Sequence, residues 1–285
     1  MMNLDYEFLA LKEIDSVLSN LKKFGIAVIP NYLGSDVLVN LNKEFDLSLS
    51  KAHFLESIIS QSKHPLNPDG KTARLALWHR QALSDFPTIC QIFRNDFMRE
   101  IAEAYYGPND VELNDQVFIT YEKPSESPIL PWHFDRIQSL KFWFNLTDTD
   151  STNGAFEYCP GTHWEGHYRA SFHLSQGLAV EDIPNDIDES MIMRPVTLSL
   201  NAGDLLIFDS DGFHRGGVVQ PEKERRVIRG HTHPVGIRRY GDRPLSAGWW
   251  QKSFLNINKW TGNASKRVIG ELIQDRSVNR KKNKL

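Results

Sequence analysis

Cysteine is scarce: Cys90 and Cys159 are the only two in 285 residues. They could form one bridge at most, so a disulfide scaffold is excluded and reduced thiols are the expectation. No apolar run approaches the roughly twenty residues of a membrane-spanning helix. The opening Met-Met-Asn-Leu-Asp-Tyr-Glu has neither a basic start nor an apolar stretch, so no secretory leader is expected and the reading is cytoplasmic. An excess of one charge sign is missing too. Against 36 Asp and Glu stand 33 Lys and Arg, a formal charge of -3, which argues against nucleic acid as a partner. The one strongly basic stretch, 276–285 with Arg276, Arg280, Lys281, Lys282 and Lys284, reads as a solvated end. Internal repeats and low-complexity segments are absent as well.

What is present is ample material for a core: 40% hydrophobic and 11% aromatic residues. The length suits one large domain. We expect a single domain over 1–285, with a helical part to about 108, a β-rich core over about 111–235, a packing segment over 236–275 and the basic tail. In the first part, Phe8, Leu9, Leu11, Ile14, Val17, Leu18 and Leu21 recur at helical spacing over 5–24, and Gly25 ends that helix. Ile26 to Pro30 reads as a buried strand, and Asp36 caps a helix over Val37 to Phe45. From 46 to 88 the pattern is poor and loop-like, with Arg74, Trp78, His79 and Arg80 as candidate substrate contacts. A helix is expected from Asp85 to Tyr106.

Beyond Gly107 the texture changes. Short strands are expected over Val111–Leu113, Gln116–Tyr121, Ser139–Leu146, Ala155–Tyr158, Val196–Leu200, Asp204–Phe208, Val218–Val219 and Arg225–Thr232, the spacing of a sandwich or barrel. Alternation puts Lys141, Trp143 and Asn145 on one face of their strand and Phe142, Phe144 and Leu146 on the other. We expect the polar set to face a wet cavity, the reverse assignment being the alternative. The span 164–195, poor in strand character, reads as an insertion folding over the site.

The chemistry starts at His133-Phe134-Asp135. On an extended segment, residues two apart point the same way, so an imidazole and a carboxylate can meet one metal ion. His214, after Gly203-Asp204-Leu205-Leu206-Ile207-Phe208, is the best third ligand. Two imidazoles and a carboxylate on one face of an octahedral ion leave three positions open, as in non-haem Fe(II) oxygenases. Arg225 or Arg226 could then offer a guanidinium fork to a dicarboxylate. His163 and His167 have the spacing of a helical zinc motif, but Trp164 stands where its glutamate belongs and a Pro-Gly turn opposes a helix there. His231 and His233 lack an accompanying carboxylate and read as structural, and nothing basic adjoins Cys159 to activate it.

Taken in order, His133-x-Asp135, Thr152-Asn153-Gly154-Ala155, Pro160-Gly161-Thr162-His163 and Gly203-Asp204-(apolar)-Phe208 leading to His214 resemble the phytanoyl-CoA dioxygenase family of Fe(II)/2-oxoglutarate oxygenases. The likeness runs from about Phe24 to about Pro234. It implies a mainly β double-stranded β-helix (jelly roll, cupin-like), Fe(II) on His133, Asp135 and His214, and 2-oxoglutarate and O2 as co-substrates. It also implies oxidation of a small molecule with release of succinate and CO2. The family's 2-oxoglutarate arginine lands on Arg225, with Arg226 the alternative register. Thr120 and Trp143 are further co-substrate candidates; Gln116, Trp78, Arg80, Arg215 and Arg238 are candidate contacts to an anionic or partly aromatic substrate. Asp135 disfavours a halogenase, in which chloride replaces the carboxylate. The chain departs from the family at Arg215-Gly216-Gly217, where Gly-Ser usually follows the distal histidine. Two rivals are a non-catalytic jelly-roll binding protein and a cupin-like metal-dependent hydrolase or isomerase, neither of which needs the arginine.

Overall fold

The structure is a computed structural model, and it describes residues 13–50, 72–78, 83–107 and 111–234. The core is mainly β, two sheets flanked by helices. A six-stranded sheet has the order β1-β7-β4-β9-β3-β2, and a smaller one the order β6-β5-β8, every pairing antiparallel. The strands are β1 (Ile26–Ile29), β2 (Thr72–Trp78), β3 (Val111–Glu122), β4 (Leu140–Asn145), β5 (Phe156–Tyr158), β6 (Val196–Leu198), β7 (Leu205–Asp209), β8 (His214–Gly216) and β9 (Arg225–Pro234). The helices are α1 (Ile14–Phe24), α2 (Ser35–Ser50), α3 (Pro87–Gln91), α4 (Asp96–Tyr106) and α5 (His163–Ser175).

The helix ends follow from local chemistry. α1 stops where Gly25 takes φ 77° and donates its N–H to the Leu21 carbonyl, with Lys22 and Lys23 in the last turn opposite the helix dipole. α4 begins at Asn95, whose side chain accepts the Met98 N–H at 2.9 Å. Glu44 of α2 accepts the N–H groups of Thr88 and Ile89 at 3.0 and 2.8 Å, tying the start of α3 to α2.

Alternation on the large sheet separates two interiors. Phe142, Phe144, Leu205, Ile207 and Ile228 join Val17, Leu21, Phe45 and Ile101 in a cluster under the helices. The residues between them, Trp143, Leu206, Phe208 and Val227, pack with Phe156 and Tyr158 of the small sheet. The expected orientation of β4 is therefore the observed one: phenylalanines toward the helices, Lys141 and Trp143 between the sheets.

Several expectations need correcting. The stretch read as loop from 46 contains β2, which pairs with β3 from Thr72↔Glu122 to Trp78↔Gln116, and α2 runs on to Ser50. β2 was illegible because its partner lies far along the chain. The 85–106 helix is two helices, since the Asn95 cap starts a new one. Val111 to Glu122 is one strand with a register shift between Leu113 and Val117, and Val219 makes only an isolated bridge to Asn153. The Pro-Gly turn does not oppose a helix: α5 starts at His163 directly after it. The expected helix over 5–24 is described from Ile14, while its earlier residues and the expected elements from 236 onward lie outside the described residues. Among the described residues no helix is long and apolar enough to cross a membrane.

Candidate active site

His133 and Asp135 lie on the extended segment before β4, and His214 opens β8. The segment is held from both sides. His133 and His214 form an antiparallel bridge, Asp135 N–H donates to the Ser210 carbonyl at 2.8 Å, and Phe134 N–H donates to the Asn185 carbonyl at 3.1 Å. The expected insertion 164–195 thus brackets the site, as α5 and then two short 3-10 turns. The Pro-Gly-Thr-His turn does its part through Thr162, whose hydroxyl donates to the Cys159 carbonyl at 2.7 Å and accepts the Phe213 N–H at 2.8 Å, next to His214. At Gly212 there is no room for a side chain, because a Cβ would stand 1.9 Å from the Tyr158 hydroxyl.

The three side chains converge. Asp135 Oδ1 is 3.8 Å from Nε2 of His133 and 3.8 Å from Nε2 of His214, and the imidazole centroids are 4.4 Å apart. Nδ1 of His133 is 2.9 Å from the Pro131 carbonyl and Nδ1 of His214 is 2.7 Å from that of Gly212. A carbonyl can only accept, so each Nδ1 carries the proton and each Nε2 lone pair faces the cluster. Burial pushes both imidazoles below their ordinary pKa, His214 far below, despite the nearby Asp135. Burial would raise the Asp135 carboxyl, but Lys141, His214 and His133 outweigh it and hold it well below the usual carboxylate range. Two neutral nitrogen donors and one anionic oxygen are the charge states a divalent ion requires. Among the described residues these three form the group that could hold a metal ion.

Lys141 has a second effect. Its Nζ lies 2.5 Å from Asp135 Oδ2, occupying one carboxylate oxygen and leaving Oδ1 toward the histidines. Alternation placed Lys141 on the cavity face, but no sequence signal tied it to Asp135.

The two histidines also line a pocket with Thr120, Glu122, Lys141, Trp143, Phe156, Arg225 and Arg229, together with Ile129 and Leu130. Arg225 is 4% exposed. It donates through Nη1 to the Gly154 carbonyl and through Nη2 to Glu122. Its guanidinium fills the space beside Gly216, where a Cβ would come within 2.3 Å of Nη2. Arg226 points the other way, to Asp46 and Glu224, with its guanidinium over Phe45 and Tyr121. Thr120 accepts a hydrogen bond from Arg229 Nη1 at 2.6 Å, and Trp143 donates its Nε1–H to Asn145. Sequence reading missed Arg229 and Glu122. The signal for Arg229 was there, since period two from Arg225 along β9 reaches it.

Of the substrate candidates, Arg215 and Gln116 have described side chains. Arg215 is bound by Glu157 at 2.5 Å and Glu189 at 2.8 Å and lies over Trp132. Gln116 is buried on β3 opposite Trp78 of β2. His79, Arg80 and Arg238 lie outside the described residues. His231 stacks on Phe118 with centroids 4.6 Å apart, and His233 Nδ1 meets the Gln138 carbonyl at 3.0 Å. His167 pairs with Asp211 at 3.0 Å, a partnership that accounts for it without a zinc ion. Burial pushes the Cys159 thiol up to about 11 and Cys90 up to about 12, so neither supplies a thiolate.

The His-Asp-His triad, together with the family that the chain matches, marks a metal-dependent, 2-oxoglutarate-using oxidoreductase. The model of the family Phytanoyl-CoA dioxygenase (PhyH) matches residues 21–227, and the chain belongs to that family. No curated protein sequence matches it. Among solved structures, the non-heme alpha ketoglutarate dependent epimerase SnoN from nogalamycin biosynthesis is similar at 17% identity, with 81% of this chain and 85% of that one covered and a TM-score of 0.59. EctD from S. alaskensis with bound Fe shares 15% identity over 78% of this chain and 77% of its own, with a TM-score of 0.56. HygX from Streptomyces hygroscopicus with nickel, 2-oxoglutarate, and hygromycin B bound shares 13% identity over 77% and 86%, with a TM-score of 0.52. These likenesses are of fold, consistent with a double-stranded β-helix.

Proposed function

We infer that the chain is an Fe(II)- and 2-oxoglutarate-dependent dioxygenase that hydroxylates or desaturates an unactivated C–H of a small-molecule metabolite. On this reading the two sheets are the faces of one jelly roll, and the whole chain is a single domain. The observation that carries it is the convergence of both Nε2 atoms and Asp135 Oδ1 at a pocket that also holds Arg225. The buried Arg225 Nε, without a hydrogen-bond partner among the described residues, fits an incoming carboxylate.

His133, Asp135 and His214 would hold the iron. When bound, iron and 2-oxoglutarate supply O2 activation coupled to decarboxylation, giving succinate, CO2 and removal of hydrogen from the substrate. The chain's own residues do the rest. Pro131 and Gly212 keep the imidazole tautomers, and Lys141 orients Asp135. Arg225 binds the distal carboxylate of the co-substrate, with Thr120 and Trp143 along its wall. The buried Phe156 gives the pocket an apolar wall. A cationic lining of Lys141, Arg225 and Arg229 suits anionic ligands.

Anaerobic addition of Fe(II) and 2-oxoglutarate tests this. A visible charge-transfer absorption that needs both, and succinate release once air is admitted, are expected. A binding protein or a cupin-like hydrolase would give neither, and their absence would overturn the reading.

A further inference from the structure

The pocket contains a carboxylate where an anionic co-substrate has to bind. Glu122 ends β3 directly opposite Arg225 in the register of β3 and β9, and both side chains are almost fully buried, 3% and 5% exposed. Glu122 takes the hydrogen bond of Arg225 Nη2, while Nη1 is spent on the Gly154 carbonyl. Nε keeps a buried, unshared N–H among the described residues. Nε and Nη2 form one edge of the planar guanidinium, the edge a carboxylate grips with two parallel bonds. Half of that edge is vacant and the other half belongs to Glu122.

We propose that Glu122 is a specificity-determining residue that stands in for the co-substrate's distal carboxylate on Arg225 and must give up Nη2 when a dicarboxylate binds. This rests on the assignment of Arg225 to 2-oxoglutarate. Two physical consequences follow. Glu122 saves Arg225 from being a buried unpaired charge in the empty pocket. It also sets a threshold for ligands, because a carboxylate entering beside it meets like charge in a site of low dielectric. A 2-oxo acid with one carboxylate, which reaches the metal but not Arg225, meets no such threshold.

Calorimetric titration of 2-oxoglutarate into the Mn(II)-loaded protein, in which turnover does not occur, reads the effect directly. Glu122→Gln keeps the size and an acceptor oxygen but removes the charge, and its Kd for 2-oxoglutarate should fall about three- to tenfold. The Kd for 2-oxobutyrate, which has no distal carboxylate, should stay as in the wild type. Glu122→Asp, a methylene shorter, should fall between the two and serves if the glutamine variant does not fold. A wild-type or weaker affinity of the folded variants for 2-oxoglutarate would overturn the proposal, as would an equal gain for 2-oxobutyrate. If the wild-type protein and Glu122→Gln both fail to bind 2-oxoglutarate, the co-substrate reading itself falls and this proposal with it.

Discussion

His133 and His214 exchange both of their backbone hydrogen bonds, His133 N–H to the His214 carbonyl at 3.1 Å and His214 N–H to the His133 carbonyl at 2.8 Å. Cross-strand neighbours in such a pair present their side chains on the same side. Two metal ligands from distant parts of the chain are thereby aimed by the backbone itself. The carboxylate follows two residues later on the same segment.

Removing a ligand should therefore remove the metal. His133→Ala, Asp135→Ala and His214→Ala are each expected to lose more than the roughly 10–100-fold in metal affinity that loss of an outer partner costs. Metal content after dialysis against a defined Fe(II) or Mn(II) buffer measures it, and stoichiometric metal in any of the three would count against the triad.

Lys141→Met keeps the length of the side chain and removes the charge that holds Asp135 Oδ2. We expect metal affinity to drop by about tenfold, within the range for groups that orient a ligand. Mn(II) binding followed by EPR would show this, and unchanged affinity would mean that Lys141 only lines the cavity.

Arg225 and Arg226 should separate cleanly. Arg225→Ala is expected to raise the 2-oxoglutarate requirement at least about tenfold, the loss of a charge-assisted hydrogen bond. Arg226→Ala should leave that requirement unchanged and cost about 1 kcal/mol of stability through lost packing on Phe45 and Tyr121. The opposite assignment of effects would place the co-substrate elsewhere.

Gly216→Ala tests the same arginine from the other sheet. Its Cβ would collide with the Arg225 guanidinium. The expected outcome is normal metal content with 2-oxoglutarate binding weakened about tenfold or more, since the fork is displaced. Loss of metal and folding together would instead mark Gly216 as a purely structural position.

A pH effect is expected away from the metal. Burial, then the neighbouring Asp211, raise Asp209 to about 7, and Asp211 outweighs burial to raise His167. Both groups hold protons more tightly folded than unfolded, so their contributions are fully present below the unfolded values of 3.8 and 6.5. They are lost as pH rises through the folded values. Thermal unfolding should show stability declining as pH rises from about 4 to about 7, and Asp209→Asn should flatten that slope. A slope identical to wild type in the variant would remove Asp209 from the account.

The sequence by itself determined the end of α1 at Gly25, the facing of β4, the order of the motifs and which three side chains converge as a candidate metal site. Each of these follows from spacing within a few residues or from a motif that survives in linear order. Only the tertiary structure decided that β2 lies in an apparently featureless stretch, that Lys141 holds Asp135, that Arg226 faces the helices, and that Glu122 and Arg229 share the pocket with Arg225. The place of β2 and the pairing of Glu122 with Arg225 depend on register between strands far apart in the chain, and the remaining contacts on how the packed sheets bring individual side chains together.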